Sequence, residues 1–463
     1  MTSRKMLWPA VILAIAGLGA AALHYRPDQA IRVATNVVAH NICDKAFVSG
    51  LDPQTAFAEI TERDGIRRLR WPLRFGIDRS SGIVTASMAG LFASRAAFRD
   101  GFGCVMLLGA QDPYLLKVDV ASLKGKEPPL LPEIAGPDIV TPSDAKLKAA
   151  LDHAFEEPAE PPFRRTKAVV VVRDGAVIAE RYAESVGVHT ALPGFSMTKS
   201  VVNALIGVLT QQGLVTPSLP AAIPEWRGAI DPRREIEIEH LMRMISGLEL
   251  DETNSGFDAS SRMYLYDDMA GYALQAKLIA PIGTRWAYSS PTTQLLARII
   301  RDAAGGPEQT LRLAWRELFN PLGMRDVTLE FDGSGTLQGS SFMLASARDW
   351  ARFGLLYLND GLVGGKRLLH EDWVDLSAAA TLDTDYGAGF WTNRSEHPHA
   401  KARVAMGIPR DVFFASGDLG QRIVILPTQR MVIVRLGDSV DPTGDISGLG
   451  RLVKEAIEAV KEP

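Results

Sequence analysis

The chain is poor in the residues that many functional classes need. Two cysteines in 463 residues exclude a disulfide-dense scaffold and a multi-cysteine zinc module. Only eight histidines are present, and none falls into a zinc-type spacing or a Ser-His-Asp order. His397 and His399 in "EHPHA" have no third ligand in view along the chain, so no metal and no cofactor are expected. Charge of one sign is missing as well. Fifty Lys and Arg face 54 Asp and Glu, giving −4 overall with no basic stripe, which argues against a nucleic-acid partner. There is no Gly-x-Ser-x-Gly elbow, because Ser196 lies in Gly-x-Ser-x-Thr, and "GLVGGK" is too short for a phosphate loop and falls in a predicted hairpin.

What is there is a globular composition, 46% hydrophobic and 22% charged, on a chain long enough for a sizeable core. One long apolar run stands apart. Arg4 and Lys5 precede an uncharged 18-residue segment, Met6 to Leu23, which reads as an export signal. Ala20 and Ala22 offer a small-x-small cleavage site; equally, 18 residues at ~1.5 Å each nearly cross a ~30 Å hydrocarbon core, so a retained anchor is the alternative. Either way the remainder is expected outside the cytoplasm, periplasmic or held at the inner membrane. Cys43 and Cys104 are an even pair in an exported chain, hence a candidate disulfide worth roughly 4 kcal/mol by loop entropy; two separate buried thiols are the alternative.

Three stretches follow: 1–23, the signal or anchor; 24–150, an amino-terminal extension and linker; and 151–463, the main domain. From Ile31 to Leu130 no helical or strand repeat is recognisable, and "KGKEPPLLPEIAGPDIVTPSD" reads as an extended wrapping segment. Beyond it the patterning is strong. Lys167 to Tyr182 is two β-branched runs joined at Asp174-Gly175, a hairpin signal. Helices are predicted over Ser196 to Gln212, in "IEIEHLMRMI", in "TTQLLARIIRDAAG", over Ser346 to Asp360 and in the closing "RLVKEAIEAVK", after a strand-turn-strand in "QRIVILPTQRMVIVRLG". Strands at both ends of a helical middle imply an α/β (α+β) fold: an antiparallel sheet flanked by helices, with a helical subdomain inserted.

The chemistry centres on "GFSMTKSVVNALIGVL". On a helix, Ser196 and Lys199 share one face a turn apart, and the first turn offers free N–H groups for a developing oxyanion. The apolar run after Lys199 supplies the dry setting that turns an ammonium into a base. A capping serine with a solvent-facing lysine is the plainer reading of the same residues. Further along, Tyr288, Ser289 and Ser290 stand at the start of a second amphipathic helix.

With that element the chain resembles the serine hydrolases of the β-lactamase and penicillin-binding-protein superfamily, in which Ser-x-x-Lys is followed by Tyr-x-Asn or Ser-x-Asn. It is most similar to the branch of class C β-lactamases, family VIII esterases and 6-aminohexanoate-dimer hydrolases, the last of which carry Tyr-x-Ser. "EHLMRMISGLELDE", "LFNPLGMRDVTLEFD", "SARDWARFGLLYLNDGLVGGKRLL" and "FFASGDLGQRIVILPTQRMVIVRLG" extend the resemblance over about residues 165 to 460, and "NICDKAFVSGLDP" and "GFGCVML" resemble an extension of some exported members.

The resemblance implies a β-lactamase/transpeptidase-like fold, Ser196 as acylated nucleophile and Lys199 as its general base. It implies Tyr288 as proton relay, acting as a phenolate or through Lys199, and Ser290 in place of the substrate-orienting asparagine. The family's Lys-Thr-Gly or His-Thr-Gly falls on Ala415, Ser416 and Gly417. Ser416 and Gly417 are then expected against substrate, and the N–H groups of Ser196 and Asp418 form the oxyanion hole. The cation is missing at Ala415, which counts against reading a substrate carboxylate unless Arg422 or another arginine replaces it. A small ester or linear amide is therefore the expected substrate. A β-lactamase or D-alanyl-D-alanine carboxypeptidase, and a catalytically silent peptidoglycan- or partner-binding domain, are the alternatives; oligomeric state is open.

Overall fold

The computed structural model describes residues 26–460 apart from 64, 110, 111 and 126. The segment 6–23 lies outside the described residues, among which no helix is long and apolar enough to cross a membrane.

The extension, in which the sequence shows no recognisable repeat, is regularly structured. Helix α1 (Pro27–Cys43) and helix α2 (Pro53–Thr61) precede a four-stranded antiparallel meander, β1 (Leu73–Asp78), β2 (Ile83–Met88), β3 (Leu91–Arg99) and β4 (Gly103–Met106). The β2–β3 turn is Ala89-Gly90 with φ of 50° and 78°, the left-handed pair a two-residue hairpin requires. Val38, Ala39 and Ile42 of α1 pack on Val84, Ala86 and Ala96 of the sheet, and Cys43 is disulfide-bonded to Cys104 with the Cα atoms 6.2 Å apart. The helix was hidden because α1 also buries Thr35, Asn36, His40 and Asn41, which breaks the apolar period.

These buried polar groups fasten the extension to the rest of the protein. Asn36 donates to the Tyr264 carbonyl at 3.0 Å. Lys45, itself buried, donates to Glu59 at 2.9 Å and to Asp438 at 2.7 Å. His40 lies between Asp44 and Glu330, at 3.3 and 2.9 Å. The Pro-rich segment that follows is largely irregular, as expected.

The boundary expected at residue 150 falls inside helix α3 (Ala145–Phe155), whose Leu147 and Leu151 pack against the main sheet. That sheet is built from β5 (Thr166–Arg173) and β6 (Ala176–Tyr182), joined by Asp174-Gly175, together with strands from the far end of the chain. Helix α4 (Thr198–Gln211) follows the Ser196 turn, then come helix α5 (Ser290–Ala304) and helix α6 (Ala347–Leu358). The chain closes with β7 (Trp391–Thr392), β8 (Phe413–Gly417), β9 (Gln421–Leu426), β10 (Met431–Gly437) and helix α7 (Ile446–Val460). The order is β7-β8-β9-β10-β5-β6, antiparallel throughout.

Both faces of this sheet are covered, which explains the unbroken apolar runs. Val170 and Val172 face the core shared with α4 and α6, whereas Val169 and Val171 face α3 and α7. Ile423 and Ile425 against Val424 and Leu426 repeat the alternation in β9. Each such side chain contributes roughly 1.5–3 kcal/mol by burial. The fold is the α+β arrangement of antiparallel sheets and helices that the sequence implies.

Candidate active site

Ser196 sits in a single 3-10 turn, Phe195–Met197, immediately before α4. Phe195 at φ 45° and Gly194, whose N–H donates to the Met343 carbonyl at 2.8 Å, make the chain turn sharply there. Every residue of α4 from Thr198 to Leu209 is buried, so Lys199 projects into a sealed setting rather than into solvent. Its Nζ donates to Ser196 Oγ at 2.9 Å, to Ser290 Oγ at 3.1 Å and to the Ser340 carbonyl at 3.0 Å. Burial pushes its pKa below the ordinary lysine value, against the opposing pull of Glu252, Tyr264 and Asp418.

Ser290 arrives from α5. Ser289 caps that helix by accepting from the Thr292 N–H at 3.1 Å, and Pro291 occupies the first turn, where its missing N–H costs nothing. Ser290 thus meets Lys199 directly. Tyr288, two residues earlier, lays its ring 4.8 Å from the lysine nitrogen and is hemmed by Tyr386 and Trp391 at 5.6 and 5.7 Å between ring centroids. Burial raises its pKa first and Glu252 adds to that, outweighing the hydrogen bond with Ser196. That direction favours the neutral phenol and, of the two routes expected from the sequence, the one that runs through Lys199.

Strand β8 completes the cleft. A Cβ added to Gly417 would lie 2.1 Å from the Gly194 carbonyl, and one added to Gly194 would lie 2.5 Å from Trp350. Gly417 lets β8 cross the serine turn at backbone distance, bringing Ser416, Gly417 and Asp418 to the cavity that Ser196 lines, while Gly194 makes room for the Trp350 ring of α6. Gly417 is thus needed for strand-to-turn contact, where the sequence suggested room for substrate.

Ala415 is fully buried in the core. Arg422 does not supply a free cation in its stead: Nη1 donates to the carbonyls of Gly417 and Gln421 at 2.9 and 2.8 Å, and Nη2 to that of Thr443 at 3.1 Å. Burial and neighbouring Arg435 lower its pKa to about 10. Asp418 is ion-paired with Arg63 of the extension.

Three neighbours of Lys199 carry no signal in the sequence. Glu252 accepts the Ser290 N–H at 2.6 Å and the Ser260 hydroxyl at 3.0 Å. Tyr264 and the Ser340 carbonyl come from separate loops. The histidine pair does find a third group. Asp385, His397 and His399 bring ligand atoms within 4.8 Å of one another, although Asp385 is also held by Arg403 at 2.8 Å. The chain-level reason for expecting no ligand set there is thus corrected: Asp385 is twelve positions away in sequence and adjacent only after folding.

The cavity above Ser196 has a volume of about 690 Å³, and the extension forms one side of it. The chain is 25% identical over 318 residues to the 6-aminohexanoate-dimer hydrolase of Paenarthrobacter ureafaciens, covering 64% of this chain and 79% of that protein. Among solved structures, a candidate 6-aminohexanoate-dimer hydrolase from Bacillus anthracis has a TM-score of 0.55 at 21% identity, covering 73% of this chain and 88% of the other. A penicillin-binding-protein homologue from Caulobacter crescentus has 0.52 at 18%, covering 71% and 100%. EstCE1, described as a hydrolase with promiscuous acyltransferase activity, has 0.52 at 15%, covering 68% and 97%. These structures share the fold. The Beta-lactamase family model matches residues 152–457, the whole of the main sheet and the cleft's catalytic side, and the chain therefore belongs to the Beta-lactamase family of serine hydrolases.

Proposed function

We propose that the protein hydrolyses small esters or linear amides through an acyl-enzyme on Ser196. The observation that carries this reading is the buried Lys199 ammonium nitrogen 2.9 Å from Ser196 Oγ. With its pKa lowered, Lys199 in the neutral form takes the Ser196 proton as Oγ attacks the substrate carbonyl. The N–H groups of Ser196 and Asp418 receive the oxyanion. Tyr288, as a phenol, gives its proton to the leaving alcohol or amine and recovers one from Lys199. Water then attacks the acyl carbonyl, passing its proton to the same relay, and Ser196 is released with the acid. Ser290 and the Ser340 carbonyl hold the Lys199 nitrogen in line.

The likeness to a 6-aminohexanoate-dimer hydrolase supports linear amides, and an ester is open to the same acyl-enzyme chemistry. The enclosed Ala415 and the occupied Arg422 weigh against a β-lactamase or carboxypeptidase. A fluorophosphonate probe should label the wild type and not Ser196→Ala, with p-nitrophenyl acetate turnover lost in parallel. Absence of labelling in the wild type would favour a silent binding domain; rapid nitrocefin turnover would favour a β-lactamase. The disulfide and the apolar segment 6–23 support export, and cell fractionation with thiol trapping tests it.

A further inference from the structure

The cleft has two owners. Its floor comes from the family fold, but a continuous side comes from the extension. Ala30, Ile31, Ala34 and Val37, spaced to share one face of α1, line it together with Ile66 and Leu69. Phe257, Phe342 and Leu419 line the hydrolase side.

Among the described residues, most of the charges that line the cavity are already engaged. Arg63 is paired with Asp418, Arg422 with backbone carbonyls, Glu252 with the Ser290 N–H and Ser260 hydroxyl, and Asp441 with the Thr443 N–H at 2.7 Å. Arg68 is exposed. The space between the walls therefore favours an apolar, uncharged group. Small Ala30 and Ala34 leave room in that wall, and it is pinned by the Asn36 bond to Tyr264 and by the disulfide, so it is a fixed surface.

We infer that α1 of the extension is the specificity-determining wall of the site, selecting esters or amides that carry an unbranched, uncharged aliphatic chain beside the scissile bond. This rests on the serine-hydrolase reading above and narrows it, since the residues with which α1 lines the cavity, Pro27, Ala30, Ile31, Val33, Ala34 and Val37, carry no charge to meet a charged end.

The test uses the full chain and two substrate series, p-nitrophenyl alkanoates and alkyl acetates, each run from two to twelve chain carbons. Because each added methylene in an apolar pocket is worth roughly tenfold or more when fully used, kcat/KM is expected to rise at least tenfold with chain length in one series. Ala34→Trp fills the wall and should reduce the octyl-to-acetyl ratio more than tenfold. Val37→Ala, a milder change that keeps the test open if the tryptophan variant misfolds, should move the optimum to longer chains. Flat profiles in both series, or ratios unmoved by both variants, would overturn the inference. Fluorophosphonate labelling separates the two levels: a labelled protein with flat profiles loses only the chain selectivity, whereas an unlabelled wild type loses the hydrolase reading too.

Discussion

A lysine with three acceptors and, among the described residues, no ion-pair partner at its nitrogen is an uncommon thing to bury, and its neighbours set when it loses its proton. Lys199→Ala and Tyr288→Phe should each reduce kcat by about 10²–10⁴, the range of a lost general base or acid, with a smaller effect on KM. Because burial lowers the Lys199 pKa, the base form is present below the pH at which a free lysine would lose its proton, and kcat/KM rises as pH climbs through that value. Glu252 favours the charged lysine. Glu252→Gln retains an acceptor for the Ser290 N–H but removes the charge, so the rising limb of the pH–rate profile should move to lower pH. At Gly417, substitution by alanine forces a Cβ into the Gly194 carbonyl; it is expected to cost about 3 kcal/mol in a denaturant melt and to suppress labelling of Ser196. Ser196 and Lys199 were legible because they stand three residues apart on one continuous stretch, the serine turn running directly into α4. Glu252 was not, because it reaches the site from a loop whose path depends on the whole fold.

Elements differ in the same way. The β5–β6 hairpin, α5, α6 and α7 were readable from the sequence by their periodicity, with Asp174-Gly175 marking the hairpin turn and Ser289 the start of α5, whereas α4, buried all round from Thr198 to Leu209, was readable by its long apolar run ending before Gly213. The extension was not, although Asp100-Gly101 between β3 and β4 is a turn signal that the chain does carry. Its α1 pairs polar residues with partners tens or hundreds of positions away, and local periodicity is blind to those.

One of these, His40, makes the element sensitive to pH. Burial would push its pKa down, but Asp44 and Glu330 overcome this and raise it well above the usual histidine value. The stability gained is full below the unfolded histidine pKa of about 6.5 and is lost as pH rises through the folded value. The melting temperature should thus fall as pH is raised through the alkaline range, and His40→Gln should flatten that dependence. Replacing His40 by alanine leaves two buried carboxylates without their cation and should cost about 3 kcal/mol or more. Reducing the Cys43–Cys104 bond releases a loop of 61 positions, worth roughly 4 kcal/mol. A thermal melt with and without reductant should show a separate loss of the extension, and the esters with the longest chains should suffer most.

At the scale of the molecule, the feature with the widest reach is the pairing of β5 with β10. Residues 166–173 find their main partner in residues 431–437, and β8, which carries Asp418 to the cleft, hangs on β9 and β10 beyond it. In terms of synthesis, the extension and its disulfide belong to the first quarter of the chain, and α1 has been made long before the nucleophile. The sheet that assembles the nucleophile's surroundings cannot close until nearly the last residues have left the ribosome. A ribosome-bound chain arrested before about residue 440 should carry Ser196 and Lys199 yet fail to react with the fluorophosphonate. On the proposed function, a partly made chain is thereby inert until the sheet closes, a delay that the strand order itself imposes.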